Sequence, residues 1–295
     1  MRRAGIGEVT NDRGRQVRVL LAYPQHYPPR SVLSLYAAFT KLQVEVHLKS
    51  LDEVSCDEFS EYDVVMLRGF PYNLDLVTFN ALVTCMEDTL VINNPKAIVL
   101  ARDKYSSIKV LEKKGITVPK TRLVRSRNEL VNAINEMEIA VVKPLSSSLG
   151  IGVQLVTRDS LGYFLSSFPF RFNAVVQEYV EKVRDVRVFV IGDKAVGAMY
   201  RISPLTFVTN YSQGADLDPA PVEPYGAIAI RATKALGLEY AGVDLVESPE
   251  GPKVIEVNPS PQWLGLSKIL RKDIAMILAK YVANRAREVK TGSEL

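Results

Sequence analysis

Asp244, Glu256 and Asn258 are the residues whose types and spacing most suggest chemistry. Two strand-like segments, AGVDLVE and KVIEVN, flank SPEGP, which reads as a five-residue turn centred on Glu250. Antiparallel pairing about that centre places Glu247 opposite Lys253 and Asp244 opposite Glu256. The first pair joins opposite charges and supports the register. The second opposes two carboxylates at about 5 Å between Cβ atoms, which destabilises a sheet unless positive charge lies between them. Lys253 is three residues from Glu256 and points to the other face. A divalent cation resolves the conflict, and Asn258, two residues beyond Glu256, adds a neutral oxygen on the same face. Hard oxygen donors of this kind suit magnesium bridging phosphates, and the absence of histidine from the set argues against zinc. The competing reading is a solvated hairpin face with a Lys or Arg supplied from elsewhere.

Ser146, Ser147, Ser148, Leu149, Gly150, Ile151 and Gly152 form a loop between two strands that can turn backbone N–H groups and hydroxyls toward a phosphate. It matches neither the Walker A pattern nor GxGxxG before a helix, and a plain Gly-Ser hairpin turn fits it as well. Lys143 lies inside the apolar strand AVVKPL, where its ammonium needs either an anionic ligand or a buried salt bridge. The segment VVQEYVE suits one wall of a nucleotide site, its backbone meeting adenine and Glu181 or Asp185 meeting ribose hydroxyls. Asp185 and Arg187 share one strand face, and Arg201 follows on the next strand near the expected phosphate end. An arginine aimed at phosphate and a surface Asp185–Arg187 ion pair fit this spacing equally.

These side chains need a scaffold. The 295 residues, 47% hydrophobic, are enough for two or three packed subdomains. VRVLLA, VEVHL, DVVMLR and LVIN read as strands alternating with the helices SVLSLYAAFTKL and LVTFNALVTCM, which predicts a small, mainly parallel sheet over 17–94. After Pro95 come a helix leading to Asp103 and Lys104, the helix SIKVLEKKG with Gly115 as its cap, and then hairpin-like strands. The helix PYGAIAIRATKALG interrupts those strands, and a helix from Ser267 to Glu288 ends the fold with Ile274, Leu278 and Tyr281 on one face. The expected division is a flexible tail 1–16, an α/β domain 17–94, a central subdomain 95–178, a C-terminal subdomain 179–288 with the metal site, and a tail 289–295.

With 37 basic against 33 acidic residues, the net charge of +4 suits an anionic ligand but does not mark a nucleic-acid binder. No apolar run is long enough to span a bilayer and the first residues lack a signal-peptide core, so the expected partners exclude nucleic acid and membrane and the expected setting is cytoplasmic. Cys56 and Cys85 have no metal-type spacing and read as buried free thiols. His47 reads as a surface residue, and His26 as a loop residue that can face a substrate where the first strand ends.

In this order the segments INNPKAIVLARDKYSSIKVLEKKGITVPKT, VVKPLSSSLGIGV, VVQEYVEKVRDVRVFVIGDKAVGAMYR, TNYSQGA and AGVDLVESPEGPKVIEVNPSP resemble the ATP-grasp superfamily, more narrowly the RimK-like α-L-glutamate ligases. The resemblance runs from about Val17 to Arg287 and implies an α+β, α/β ATP-grasp fold: an N-terminal parallel α/β domain and two antiparallel-sheet subdomains enclosing ATP. It implies that Lys104 and Lys143 contact the nucleotide, that the loop from Ser146 to Gly152 closes over phosphates, and that Gln177, Glu178, Tyr179 and Val180 hold adenine. Asp185 is implied at the ribose, Arg187 and Arg201 near phosphate or the acyl phosphate, and Asn210 at the phosphates. Asp244, Glu256 and Asn258 are implied to bind two Mg²⁺, Glu256 bridging them and Mn²⁺ a possible substitute. Arg68 falls where such enzymes can hold a substrate carboxylate.

The implied activity is an ATP-dependent, C–N bond-forming ligation through an acyl phosphate, adding glutamate or a similar amino acid to a protein, carrier or coenzyme acceptor, in a possible homo-oligomer. Departures stand at Val208, where an arginine is usual, at Ser212-Gln213-Gly214-Ala215 in place of His-Arg-Gly-Gly, and at Gln262 and Trp263 after Asn-x-Ser-Pro. They leave open carrier-protein ligases of the LysX type and archaeal coenzyme-tail ligases, a dipeptide or D-alanine type of ligase, and a nucleotide-binding regulator without ligase chemistry.

Overall fold

The computed structural model describes residues 16–24, 27–71, 74–145, 152–167, 173–181, 183–202 and 216–291. The expectations placed on His26, Ser146, Ser147, Ser148, Gly150, Val208, Asn210 and Gln213, and on all of the tail 1–16 except Gln16, lie outside the described residues.

Along the chain, β1 (Arg18–Tyr23), α1 (Arg30–Lys41), β2 (Glu45–Ser50), β3 (Val64–Leu67), α2 (Leu76–Cys85) and β4 (Leu90–Ile92) alternate as the apolar pattern predicts. Two helices follow, α3 (Pro95–Arg102) and α4 (Lys104–Lys113). Next come β5 (Thr121–Val124), α5 (Arg127–Met137), β6 (Ile139–Pro144), β7 (Gln154–Thr157), α6 (Leu161–Ser167) and β8 (Ala174–Glu178). The chain continues through β9 (Arg184–Ile191), β10 (Lys194–Ile202), β11 (Asp216–Ala220), α7 (Tyr225–Ala235), β12 (Tyr240–Ser248) and β13 (Gly251–Asn258), and ends in α8 (Leu264–Leu270) and α9 (Ile274–Thr291).

Two compact units divide the chain: 1–98 with 238–240 and 259–295, and 99–237 with 241–258. In the first, a parallel sheet of order β2-β1-β3-β4 carries a fully buried β3 and a β1 buried from Val19 to Tyr23, and α9 packs against α1. The C-terminal helices, which the sequence division groups with the metal-bearing subdomain, therefore belong to the first unit. The single helix expected from Ser267 to Glu288 is two. Arg271 adopts a left-handed conformation (φ 49°, ψ 37°) that ends α8, and the Asp273 carboxylate caps the next helix through the N–H of Met276. Ile274 and Leu278 are fully buried, while Tyr281 donates to Glu239 at 2.8 Å.

Cys56 and Cys85 form a disulfide, contrary to the expected free thiols. A separation of 29 residues says nothing about proximity; the β3–α2 crossover brings the two Cα atoms to 4.9 Å. No helix among the described residues is long and apolar enough to cross a membrane.

The second unit contains two antiparallel sheets, of order β5-β8-β6-β7 and β11-β10-β9-β12-β13. In the first of these, Ala140, Val142, Val156, Ala174 and Val176 line the face covered by α5 and α6. The second is backed by α7, which packs on β9, β10 and β13. α4 starts at an Asp103 cap that accepts from Tyr105 and Ser106 and ends at Gly115, whose φ of +67° suits glycine after a helix.

Candidate active site

The β12–β13 hairpin does place Asp244 opposite Glu256, though by a different route from the one the sequence suggests. Its turn is tighter, with Ser248 opposite Gly251, so Lys253 faces Val246 and Glu247 faces Pro252; the expected Glu247–Lys253 pair is not formed. A one-residue bulge at Ile255, between the pairs Leu245–Val254 and Asp244–Glu256, then restores the carboxylate pairing. Lys253 instead reaches Glu178 at 3.3 Å and Glu250 at 3.4 Å, tying the end of β8 to the hairpin.

Register and strand period gather a row of charges on one face of the five-stranded sheet. Arg201 on β10 faces Asp185 on β9, Arg187 is two residues along, Asp244 lies on the neighbouring β12, and Glu256 faces Asp244 on β13. Arg187 holds Asp244 with two parallel bonds, Nε to Oδ1 and Nη2 to Oδ2, both 2.6 Å, and Arg201 Nη2 adds a third at 3.1 Å. Neither the surface Asp185–Arg187 pair nor a carboxylate pair awaiting only a cation is what forms: two arginines already neutralise Asp244. Burial alone would raise the Asp244 carboxyl, but the two guanidinium charges outweigh it and hold it below the usual range. Burial likewise opposes the Arg187 charge, and attraction to Asp244 overcomes it.

Glu256 is different. It is solvent-exposed and forms no ion pair among the described residues. Positive charges act on it from beyond ion-pair range: Lys104, at the first turn of α4, Lys143 and Arg187 all feel its attraction. Asn258 ends β13 two residues beyond it. The described residues contain no cluster of three His, Cys, Asp or Glu; what they offer a metal here is two carboxylates and an amide oxygen. That donor set fits a hard cation, because Glu256 has its oxygens open and Asp244 Oδ1, which accepts one bond, retains acceptor capacity, whereas Oδ2 already accepts from both arginines. Arg201 Nε is buried without an acceptor among the described residues, a donor suited to an anion at this face.

The four-stranded sheet supplies the other wall. Opposite its core face, β6 and β7 present Ile139, Val141 and Leu155, with Ile139 and Leu155 43% and 40% exposed, and Lys143 continues the same row. An apolar strip left uncovered beside a lysine suits a flat aromatic ring joined to an anion. Lys143 donates to Gln177 Oε1 at 2.7 Å, so neither a buried salt bridge nor an unpartnered ammonium is found. Burial and the like charge of Lys104 outweigh Glu256 and lower Lys143 to about 8; Lys104 is lowered too, by burial first.

Gln177 is buried within the sheet, and the N–H groups of Glu178 and Tyr179 bond Lys120 and Ile139 carbonyls, so the first N–H beyond the ladder is that of Val180. Gly152 has φ +75°, and a Cβ there would meet Pro144 Cγ at 2.7 Å, so only glycine lets the expected phosphate loop leave this close to β6. Arg68 belongs to the first unit, where it is buried, donating to the Tyr240 hydroxyl (2.8 Å) and Pro261 carbonyl (3.0 Å), with Trp263 under its guanidinium.

A model of the RimK-like ATP-grasp domain matches residues 101–282. The tetrahydromethanopterin:α-L-glutamate ligase of Methanocaldococcus jannaschii is 38% identical over 195 residues, covering 63% of this chain and 67% of that protein. A probable α-L-glutamate ligase of Coxiella burnetii is 34% identical over 216 residues, covering 70% and 72%. The chain belongs to the RimK-like ATP-grasp family. The ATP-grasp ligase PsnB, solved with a minimal precursor, Mg and ADP, shares the fold at TM-score 0.73 and 18% identity over 91% of this chain and 97% of its own.

This RimK-like protein is thus an ATP-dependent ligase that forms carbon–nitrogen bonds. Sequence reasoning missed the apolar row of Ile139, Val141 and Leu155, and the Thr121 hydroxyl that accepts from Gln177. The first had a signal: AVVKPL is apolar at both strand parities, which requires something to cover each face.

Proposed function

We propose that this RimK-like ligase activates a substrate carboxylate with the γ-phosphate of ATP and joins the acyl group to the amine of glutamate or a similar amino acid. The carboxylate would belong to a small coenzyme, a carrier or a protein tail. The charged row from Arg201 to Glu256 carries this reading, with a buried donor, unmet among the described residues, at one end and an exposed carboxylate at the other.

On this reading Ile139, Val141 and Leu155 hold the nucleobase beside Val180, and Asp185 faces the ribose. Lys104, Lys143, the loop from Ser146 to Gly152 and Asn210 hold the phosphates. Glu256 and Asn258, with Asp244, would hold Mg²⁺, two ions sharing Glu256, and the metal supplies neutralisation of charge on the transferred phosphoryl group. Arg187 and Arg201 orient the acyl phosphate and keep positive charge against it. The names of the relatives support glutamate, and the ADP and Mg in PsnB support the nucleotide and metal.

ADP release screened across glutamate, lysine and aminoadipate, each with coenzyme or carrier acceptors and Mg²⁺, tests this. ADP should appear only when an acid and an amine are both present, with a product heavier by the added residue. Release indifferent to both, or AMP in place of ADP, overturns it.

Lys143 gives the reaction an alkaline limit. Phosphate favours its charged form, so ATP affinity is full below the free-enzyme value of about 8 and falls above it, by about tenfold per pH unit. KM for ATP measured from pH 6.5 to 9.5 should be flat and then rise; a flat profile throughout contradicts the role.

A further inference from the structure

Lys143 is held by a chain of hydrogen bonds whose polarity is fixed from its far end. The Pro119 carbonyl can only accept, and Thr121 Oγ1 donates to it at 2.8 Å. With its one proton committed, the Thr121 oxygen accepts from Gln177 Nε2 at 3.0 Å. That orientation turns Gln177 Oε1 toward Lys143, whose Nζ donates to it at 2.7 Å. Thr121 and Gln177 are 2% and 4% exposed, so water does not compete for these groups.

The strands explain the reach. Gln177 sits directly opposite Thr121 on β5 and opposite Val141 on β6, and Lys143 is two residues beyond Val141, a diagonal neighbour on the same face.

We infer that Gln177 is a positioning residue for Lys143, and that Thr121 sets the direction of its amide, so that the ammonium is aimed at an anionic phosphate with its charge intact. This rests on the nucleotide reading of the face. A glutamine is suited to the task in a way a carboxylate is not. It fixes the lysine nitrogen through a neutral acceptor, whereas Glu would form an ion pair, consume the charge the phosphate needs and raise the pKa of the lysine. The resemblance groups Gln177 with adenine; on the sheet face it shares with Val141, its side chain also reaches from Thr121 to Lys143.

The test is KM for ATP and its pH profile in Gln177→Met, Gln177→Glu, Thr121→Val, Thr121→Ser and Lys143→Met, with thermal unfolding as the control for folding. Gln177→Met keeps the volume and loses the acceptor, so KM for ATP should rise about tenfold, the scale of one hydrogen bond to a charged group. Its alkaline limb should move to lower pH. Gln177→Glu should also raise KM at neutral pH but move the limb to higher pH, a reversal that a packing defect does not produce. Thr121→Val should reproduce part of the Gln177→Met effect, and Thr121→Ser, which keeps the hydroxyl, should restore wild-type behaviour. If Lys143→Met binds ATP poorly while Gln177→Met and Thr121→Val keep wild-type KM and pH limb, the positioning inference is wrong and the nucleotide reading stands. Wild-type ATP binding in Lys143→Met overturns both.

Discussion

Glu256→Gln should abolish ATP turnover, by about a thousandfold or more, while leaving the fold intact. The size follows from what the side chain would do: a preorganised charge at the transferred phosphate, whose loss costs on the order of 10²–10³ in comparable single-group deletions, compounded by weakened metal binding. The intact fold follows from where the side chain lies. Glu256 is exposed and unpaired among the described residues, so its neutralisation leaves no buried charge without a partner and stability should stay within about 0.5 kcal/mol. ADP release with urea unfolding on the same preparation checks both halves. Near-normal turnover would remove Glu256 from the site.

Asp244→Asn should behave in the opposite way, losing stability as well as turnover. Asp244 is 6% exposed and neutralises Arg187 and Arg201, which are themselves largely buried. Removing one partner of such a group leaves its counter-charges uncompensated, at a cost of about 3 kcal/mol or more. The pH dependence has a definite sign. Because the folded-state carboxyl is held below its ordinary value, its contribution is present above the unfolded carboxylate pKa, about 3.9, and is lost as pH falls through the folded value. Urea unfolding at pH 7 should therefore separate wild type from variant widely, and the gap should close in strong acid. A variant as stable as wild type at pH 7 would mean that the arginine clamp contributes little to holding β9, β10 and β12 together.

The contrast between these two carboxylates shows what the amino-acid sequence could and could not convey. Strand period and turn signals were enough to oppose Asp244 and Glu256 and to set Asn258 beyond them. They were not enough to find the tighter turn and the bulge at Ile255, two deviations that cancel at the carboxylate pair. Bulges follow from the packing of the finished sheet and leave little local mark. The same limit applies to charge. Arg187 and Asp244 are 57 residues apart, and only the neighbouring placement of β9 and β12 makes them partners. Spacing alone therefore left Arg187 open between Asp185 and a phosphate, and left Asp244 in need of a cation.

The alternating strands and helices of the first unit were legible because each helix or strand carries its own period, and so was the parallel sheet. The partners of Lys143, the Cys56–Cys85 bond and the break at Arg271 depend on elements brought together from afar or on one left-handed residue, and periodicity does not register either.

The central claim is that this face activates a carboxylate with the γ-phosphate of ATP. Label transfer tests it most directly: the acid substrate carries ¹⁸O in its carboxylate, and the inorganic phosphate released during amide formation is examined by mass spectrometry. An acyl phosphate requires one labelled oxygen to leave with phosphate when the amine displaces it. The account predicts one ¹⁸O per phosphate, equimolar with ADP and amide. Unlabelled phosphate, or label appearing in AMP, would contradict it.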